Sequence, residues 1–313
     1  MTVRYARPTD LGIVTSYFNP CGFKTRAANF ERFVAPIREA GIPLVVVEAC
    51  FGEGEELDAS HRSLKVPAKD VMWQKERLLD VGTGWLPPEC TKVAWIDADV
   101  LFENPDWAVA TSELLERAMV VQPFAEVVRM SRGELAPRAG DDTFESFAKV
   151  FVDRPEELRL GKFERHGHTG FAWAARRGVL ARYGFYDACI AGSGDHMMAH
   201  AFVGDWESPC IRRIAGTGGR HLAHFRRWCK RLHEAVAARL EFTPGRVLHL
   251  WHGTMANRRY SQRNKELFQL AFDPKEDIRI SASGCWEWAS EKPELHAWAR
   301  RYFEERREDD DSL

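Results

Sequence analysis

The sequence predicts an α/β fold, an open Rossmann-like mixed sheet flanked by helices in one continuous domain. Three observations carry this. Within the first hundred residues short β-branched apolar runs alternate with segments of helical spacing, the pattern of βαβ units with right-handed crossovers. Hydrophobic residues make up 45% and charged residues 29% of the 313, an ordinary globular balance with enough apolar surface for a core. There is no internal repeat and no low-complexity linker to divide the chain.

The elements follow in order. Leu11–Ser16 is a short apolar run ended by the turn-rich Asn19-Pro20-Cys21-Gly22, and reads as a first buried strand. From Lys24 to Ala40, Phe30, Phe33, Val34 and Ile37 recur at helical spacing until Gly41 stops the helix. Pro43–Ala49 is a nearly continuous apolar run, as in a parallel strand buried on both faces. Asp70–Val81 predicts a helix and Lys92–Ile96 a third buried strand. This is the nucleotide-binding half of an open α/β sheet, in which ligands sit outside the carboxyl ends of the strands. Beyond it, Met119–Phe124 reads as a strand and residues 129–165 as a variable surface segment. Gly194–Phe202, His221–Leu240 and Asn257–Phe272 predict helices, with Arg246–Trp251 a strand between the last two. The domain is expected to span 1–303, with 1–125 the nucleotide-binding half and 126–303 the acceptor-binding half. Residues 304–313 form an acidic tail expected to be solvated.

A net charge of −2 offers no global field for nucleic acid or membrane, so electrostatic recognition must be local. No apolar run approaches the ~20 residues that span a bilayer, and the charged N-terminus has no apolar signal region. Seven cysteines, none spaced as CxxC, read as free thiols in a reducing compartment, not as a disulfide framework or zinc site. A cytoplasmic protein without stable membrane insertion is expected.

Chemistry concentrates in four places. Asp97 and Asp99 stand just past a buried strand, where unpaired carboxylates repel each other and invite a hard cation such as Mn2+ or Mg2+. A strand-end turn or helix cap is the plain alternative. His249 and His252 lie three apart, so a straight strand would send them to opposite faces; Gly253 permits a break that brings His252 round. One or both can complete a metal site, or one is a core and one a surface histidine. Asp195, after Gly192-Ser193-Gly194, is either a helix cap or a general base. Between Arg212 and His233 lie seven Arg or Lys and no acid, either a solvated helix face or a phosphate-binding surface.

Strand-DxD, a later glycine-rich Gly-Asp turn opening a helix, and a C-terminal strand with histidine together resemble the GT-A glycosyltransferases. The stretch from His168-Thr169-Gly170-Phe171 to Gly184-Phe185-Tyr186-Asp187 is similar to the family segment that lines the donor-sugar and acceptor pocket. The resemblance implies roles. Asp97 would contact the ribose or a metal-bound water. Asp99 would bind the metal with His252 alone or with both His252 and His249, and Asp195 would be the base of an inverting transfer. Glu48, Thr15, Ser16 and Asn19 would meet the nucleoside, Lys75 would reach the nucleotide, and Gly170 would line the pocket. Many inverting relatives carry two adjacent acids where this chain has Asp195-His196. The implied donor is a UDP-sugar; the acceptor is a saccharide or an anionic polymer, with modified nucleic acid also open. A nucleotidyltransferase, a metal-dependent hydrolase and a non-catalytic sugar- or polyanion-binding module are the competing readings.

Overall fold

A computed structural model describes residues 4–52, 57–162 and 164–310. The strands are β1 Leu11–Phe18, β2 Leu44–Cys50, β3 Leu64–Pro67, β4 Lys92–Ile96, β5 Val100–Phe102, β6 Val120–Gln122, β7 Glu126–Arg129, β8 Thr143–Glu145, β9 Ala172–Arg176, β10 Leu240–Phe242, β11 Arg246–His249, β12 Ile278–Ile280 and β13 Trp286–Trp288. The helices are α1 Lys24–Glu39, α2 Lys75–Thr83, α3 Trp107–Leu114, α4 Phe147–Asp153, α5 Arg177–Tyr183, α6 Gly194–Val203, α7 Pro209–Ala215, α8 Arg220–Val236, α9 Tyr260–Gln269 and α10 Pro293–Glu304.

Seven strands form the main sheet in the order β10-β6-β9-β4-β1-β2-β3. β4, β1, β2 and β3 run parallel, and β9 is antiparallel to both β4 and β6, so the sheet is open and mixed as expected. The apolar runs are continuous because both faces are covered. Successive side chains alternate, so Val14, Val93 and Trp95 enter one core while Leu11, Ile13, Ala94 and Ile96 enter the other, against Phe30, Phe33 and Ile37 of α1. A smaller sheet, β5-β11-β7-β8, stands at the carboxyl end of β4.

Three expectations change. Residues 129–165 are not merely a surface segment: Phe147, Ala148 and Val150 of α4 are buried in the core. β9 was not expected as a strand, since Ala172-Trp173-Ala174-Ala175 has no polar alternation to mark it. The acidic tail is solvated only in part: Glu304, Arg307 and Asp310 are exposed, whereas Arg306 and Glu308 are buried. Glu308 is 1% exposed and pairs with Arg26 at 2.5 Å, and Asp309 accepts the backbone N–H groups of Lys24 and Thr25 at 2.8 Å each, capping α1. Residues 311–313 lie outside the described residues. Among the described residues no helix is long and apolar enough to cross a membrane, and all seven cysteines are free of disulfides.

Candidate active site

Sheet register assembles the first part of the site. β4 ends at Ile96, and the chain turns through Asp97-Ala98-Asp99 into β5. There Val100 pairs with His249 of antiparallel β11, and Leu250 donates its N–H to the Asp99 carbonyl at 2.8 Å. The carboxylate of Asp99 thereby meets the end of β11. Gly253, at φ +86°, lets the chain reverse so that His252 returns to the same point. A side chain there would also crowd the Glu308 backbone, 3.1 Å from where its Cβ would stand. His252 Nε2 lies 2.9 Å and His249 Nε2 3.8 Å from Asp99 Oδ2, and the two Nε2 atoms are 3.1 Å apart.

This donor set fits a divalent cation. Asp99, His249 and His252 offer ligand atoms all within 4.8 Å of one another, and two imidazoles with a carboxylate are a donor set that first-row divalent ions take. Asp99 Oδ1 is buried and has no hydrogen-bond partner, a lone pair with nothing protein-made to meet. His252 Nδ1 stands 3.5 Å from the Glu308 carboxylate, the outer contact that orients a ligating imidazole. Burial acts against the Asp99 charge, but His252, His249 and Arg258 outweigh it and hold this carboxyl well below the usual range. His249 is held neutral chiefly by burial.

The second part centres on Lys75, the first residue of α2. Its Nζ lies 2.5 Å from Asp97 Oδ1 and 2.5 Å from Asp195 Oδ2. The two aspartates therefore do not converge on one ion: Asp99 turns to the histidines and Asp97 to the lysine. Burial raises Asp97 to about 6, with Lys75 pulling the other way and Asp195 and Asp99 adding to the rise. Burial would lower Lys75, yet Asp195, Asp97 and Glu76 together raise it. Asp195 does not cap α6. Ser193 occupies the cap position at φ 83° without a side-chain cap bond, and the Asp195 carboxylate points to Lys75.

Both parts open into one cleft of about 1240 Å³, which Ser16, Lys75, Asp97, Asp99, Gly170, Asp195, His249 and His252 all line. Three expected contacts fall outside it, because each side chain is consumed locally. Thr15 is fully buried and donates to the Ile96 carbonyl at 2.8 Å, tying β1 to β4. Glu48 accepts from Leu57 N–H at 2.7 Å and Ser63 Oγ at 2.6 Å, pinning the loop before β3. Asn19 closes the turn to Phe23 through its side-chain oxygen and nitrogen, at 2.9 and 3.0 Å.

Sequence reading missed the arginines of the far wall. Arg258 donates to His252 Nε2 at 2.7 Å. Arg263 donates to Tyr302 at 2.5 Å and to Ser193 at 2.9 Å, and Arg129 lies over the Phe144 ring, 4.5 Å from its centroid. Among the described residues none of these three pairs with a carboxylate within salt-bridge distance. Unneutralised guanidinium groups around a cleft are a site for an anion. The signal was Arg258-Arg259-Tyr260 following His252, although only the fold shows which arginine turns inward. Arg259 instead pairs with Glu266 and Glu305. The basic run from 212 to 233 divides. Arg212 and Arg213 line the cleft, whereas on α8 Arg227, Lys230 and Arg231 are exposed and Arg220 pairs with Asp273.

No family model matches the chain, and no curated protein matches it. Among solved structures it is similar to mannosyl-3-phosphoglycerate synthase from Rubrobacter xylanophilus, at 11% identity and a TM-score of 0.42, covering 89% of this chain and 84% of that one. It is also similar to glucosyl-3-phosphoglycerate synthase from Mycobacterium tuberculosis, solved with Mn2+, UDP and phosphoglyceric acid. There the identity is 14% and the TM-score 0.41, covering 90% and 86%. The same enzyme with UDP-glucose and glycerol 3-phosphate matches at 13% identity and a TM-score of 0.42, covering 90% and 87%.

Proposed function

We propose that the chain is a metal-dependent glycosyltransferase of the GT-A type, moving a sugar from a nucleoside diphosphate, UDP by resemblance, to an acceptor hydroxyl. One observation carries the reading. A carboxylate–dihistidine cluster and a lysine–dicarboxylate cluster share one cleft at the carboxyl end of a parallel strand, beside Arg129, Arg258 and Arg263, which form no salt bridge among the described residues. Asp99, His249 and His252 would hold Mn2+ or Mg2+. When bound, such an ion neutralises charge growing on the leaving diphosphate. Arg258, which donates to His252 Nε2, would turn from that nitrogen when it takes the ion and bind the same diphosphate, with Lys75 holding Asp97 and Asp195 on the sugar side. Asp195 accepts the acceptor's proton in an inverting transfer. Arg129 and Arg213 favour an anionic acceptor over a neutral saccharide, whereas Arg212 at the same wall is shared with Glu207 at 3.3 Å.

The Lys75 ion pair favours a second stereochemical reading. A carboxylate held by an ammonium is a poor base, and in that case Asp195 positions Lys75 while attack proceeds with retention. Proton NMR of the first-formed anomer separates the two: inversion keeps Asp195 as the base, retention removes it from that role. The function itself is tested by thermal shift with nucleoside diphosphates, with and without manganese, on wild type and Asp99→Ala. Stabilisation by UDP that needs manganese in wild type and vanishes in the variant is expected. A metal-independent shift, equal in both proteins, would reject the reading.

A further inference from the structure

A second group of metal-competent side chains closes another end of the cleft. His166 lies in the loop before β9, His196 and His200 are one helical turn apart on α6, and Cys210 is in the first turn of α7. One donor atom from each lies within 4.8 Å of all the others. All four residues are buried, His200 and Cys210 completely. The imidazole rings pack with centroids 5.1, 5.3 and 4.8 Å apart.

The hydrogen bonds around the cluster select one nitrogen on two of the three rings, His166 and His200. His166 Nδ1 lies 2.8 Å from the Gly167 carbonyl, His200 Nδ1 2.9 Å from the Asp205 carboxylate, and His196 Nδ1 3.3 Å from the Thr169 hydroxyl. A carbonyl or carboxylate at Nδ1 takes the ring proton there and leaves the lone pair on Nε2. The three Nε2 atoms are all buried, and that of His200 meets no hydrogen-bond partner. Leaving a buried imidazole lone pair unmet costs free energy, and a cation at the common centre removes that cost.

We propose that His166, His196, His200 and Cys210 form a structural zinc site, separate from the Asp99 cluster. Three nitrogens and one sulfur make a complete tetrahedral set for zinc with no position left for substrate. Binding releases the Cys210 proton, and the resulting thiolate with the Asp205 carboxylate offsets the two charges of the ion. Arg213 approaches the sulfur from outside at 3.4 Å, with its Nη2 also donating to the Gly161 carbonyl at 2.5 Å. The ion would tie together the loop before β9, the helix bearing Asp195 and the helix bearing Arg212 and Arg213. Cysteine spacing gave no hint of it, because the ligands come from three separate segments.

The test uses the full chain as expressed, dialysed against a weak chelator and analysed by elemental mass spectrometry. About one zinc per chain is expected to persist. Asp99→Ala should keep that zinc, whereas Cys210→Ser and His200→Gln should lose it. X-ray absorption at the zinc edge needs no variant and should show one sulfur at about 2.3 Å with nitrogens at about 2.0–2.1 Å. The proposal falls if wild type neither holds nor takes up zinc. It falls equally if Asp99→Ala loses the zinc while Cys210→Ser keeps it, or if the spectrum has no sulfur shell.

Discussion

Lys75 is the residue on which the second half of the cleft is balanced. Its ammonium separates two carboxylates that would otherwise face each other half-buried, and it sits beside a third, Glu76. Lys75→Met should lower turnover by roughly 10²-fold or more, the scale of losing one preorganised charge, with the circular dichroism unchanged. Near-normal turnover would make the lysine a structural ion pair only. Glu76 tells the opposite electrostatic story. It is buried, makes no salt bridge among the described residues, and burial raises its pKa to about 8, against the pull of Lys75. Between the ordinary 4.5 and about 8 the unfolded chain has lost a proton that the folded chain keeps, so stability falls as pH rises across that window. Glu76→Gln should therefore melt at least ~2 °C above wild type at the alkaline end, the gap closing toward the acidic end. Melting curves across pH would show it, and the reverse order would mean that the fold favours the ionised carboxylate over the neutral acid.

At the scale of elements, two glycines set how close the helices of the site come. A Cβ on Gly82 would lie 2.5 Å from Val14 Cγ1 and 2.7 Å from Val47 Cγ2, so α2 rests directly on β1 and β2. Gly82→Ala should cost ~1–3 kcal/mol in urea unfolding, as overpacking does, because neither valine is on a flexible end. A Cβ on Gly194 would fall 2.1 Å from Glu76 Oε1. Gly194→Ala should therefore push the Glu76 side chain from its place beside Lys75, and should reduce activity more than stability. Equal wild-type kinetics in that variant would show that the placing of Glu76 beside Lys75 is not needed for turnover.

Across the whole molecule, the C-terminal segment returns to the site. Glu308 joins Arg26 of α1 and Arg306, and stands behind His252, so a residue near the end of the chain orients a candidate metal ligand. Burial opposes its charge, yet the two arginines and His252 hold its pKa well below the usual range. Its contribution to stability is complete above the ordinary carboxylate range and is lost as pH falls below it. Glu308→Gln should weaken manganese binding by about 10–100-fold, the usual effect of losing an outer-shell partner, and should lower the melting temperature. Titration calorimetry with manganese measures the first. Unchanged affinity would place His252 outside the metal site.

The sequence by itself was enough for the α/β class, the parallel half, and Asp99, His249, His252 and Asp195 as places to look. Those signals are local: continuous apolar runs, a carboxylate pair at a strand end, a glycine that breaks a strand. Tertiary structure alone decided that Asp97 and Asp99 part company, that Glu48, Thr15 and Asn19 are spent on loops and strands, and that Arg258 faces inward while Arg259 does not. It also brought His166, His196, His200 and Cys210 together and buried Arg306 and Glu308 of the acidic tail. Each of these depends on a partner far along the chain, and a single sequence without its contacts holds no physical record of which distant charge or lone pair a side chain will meet.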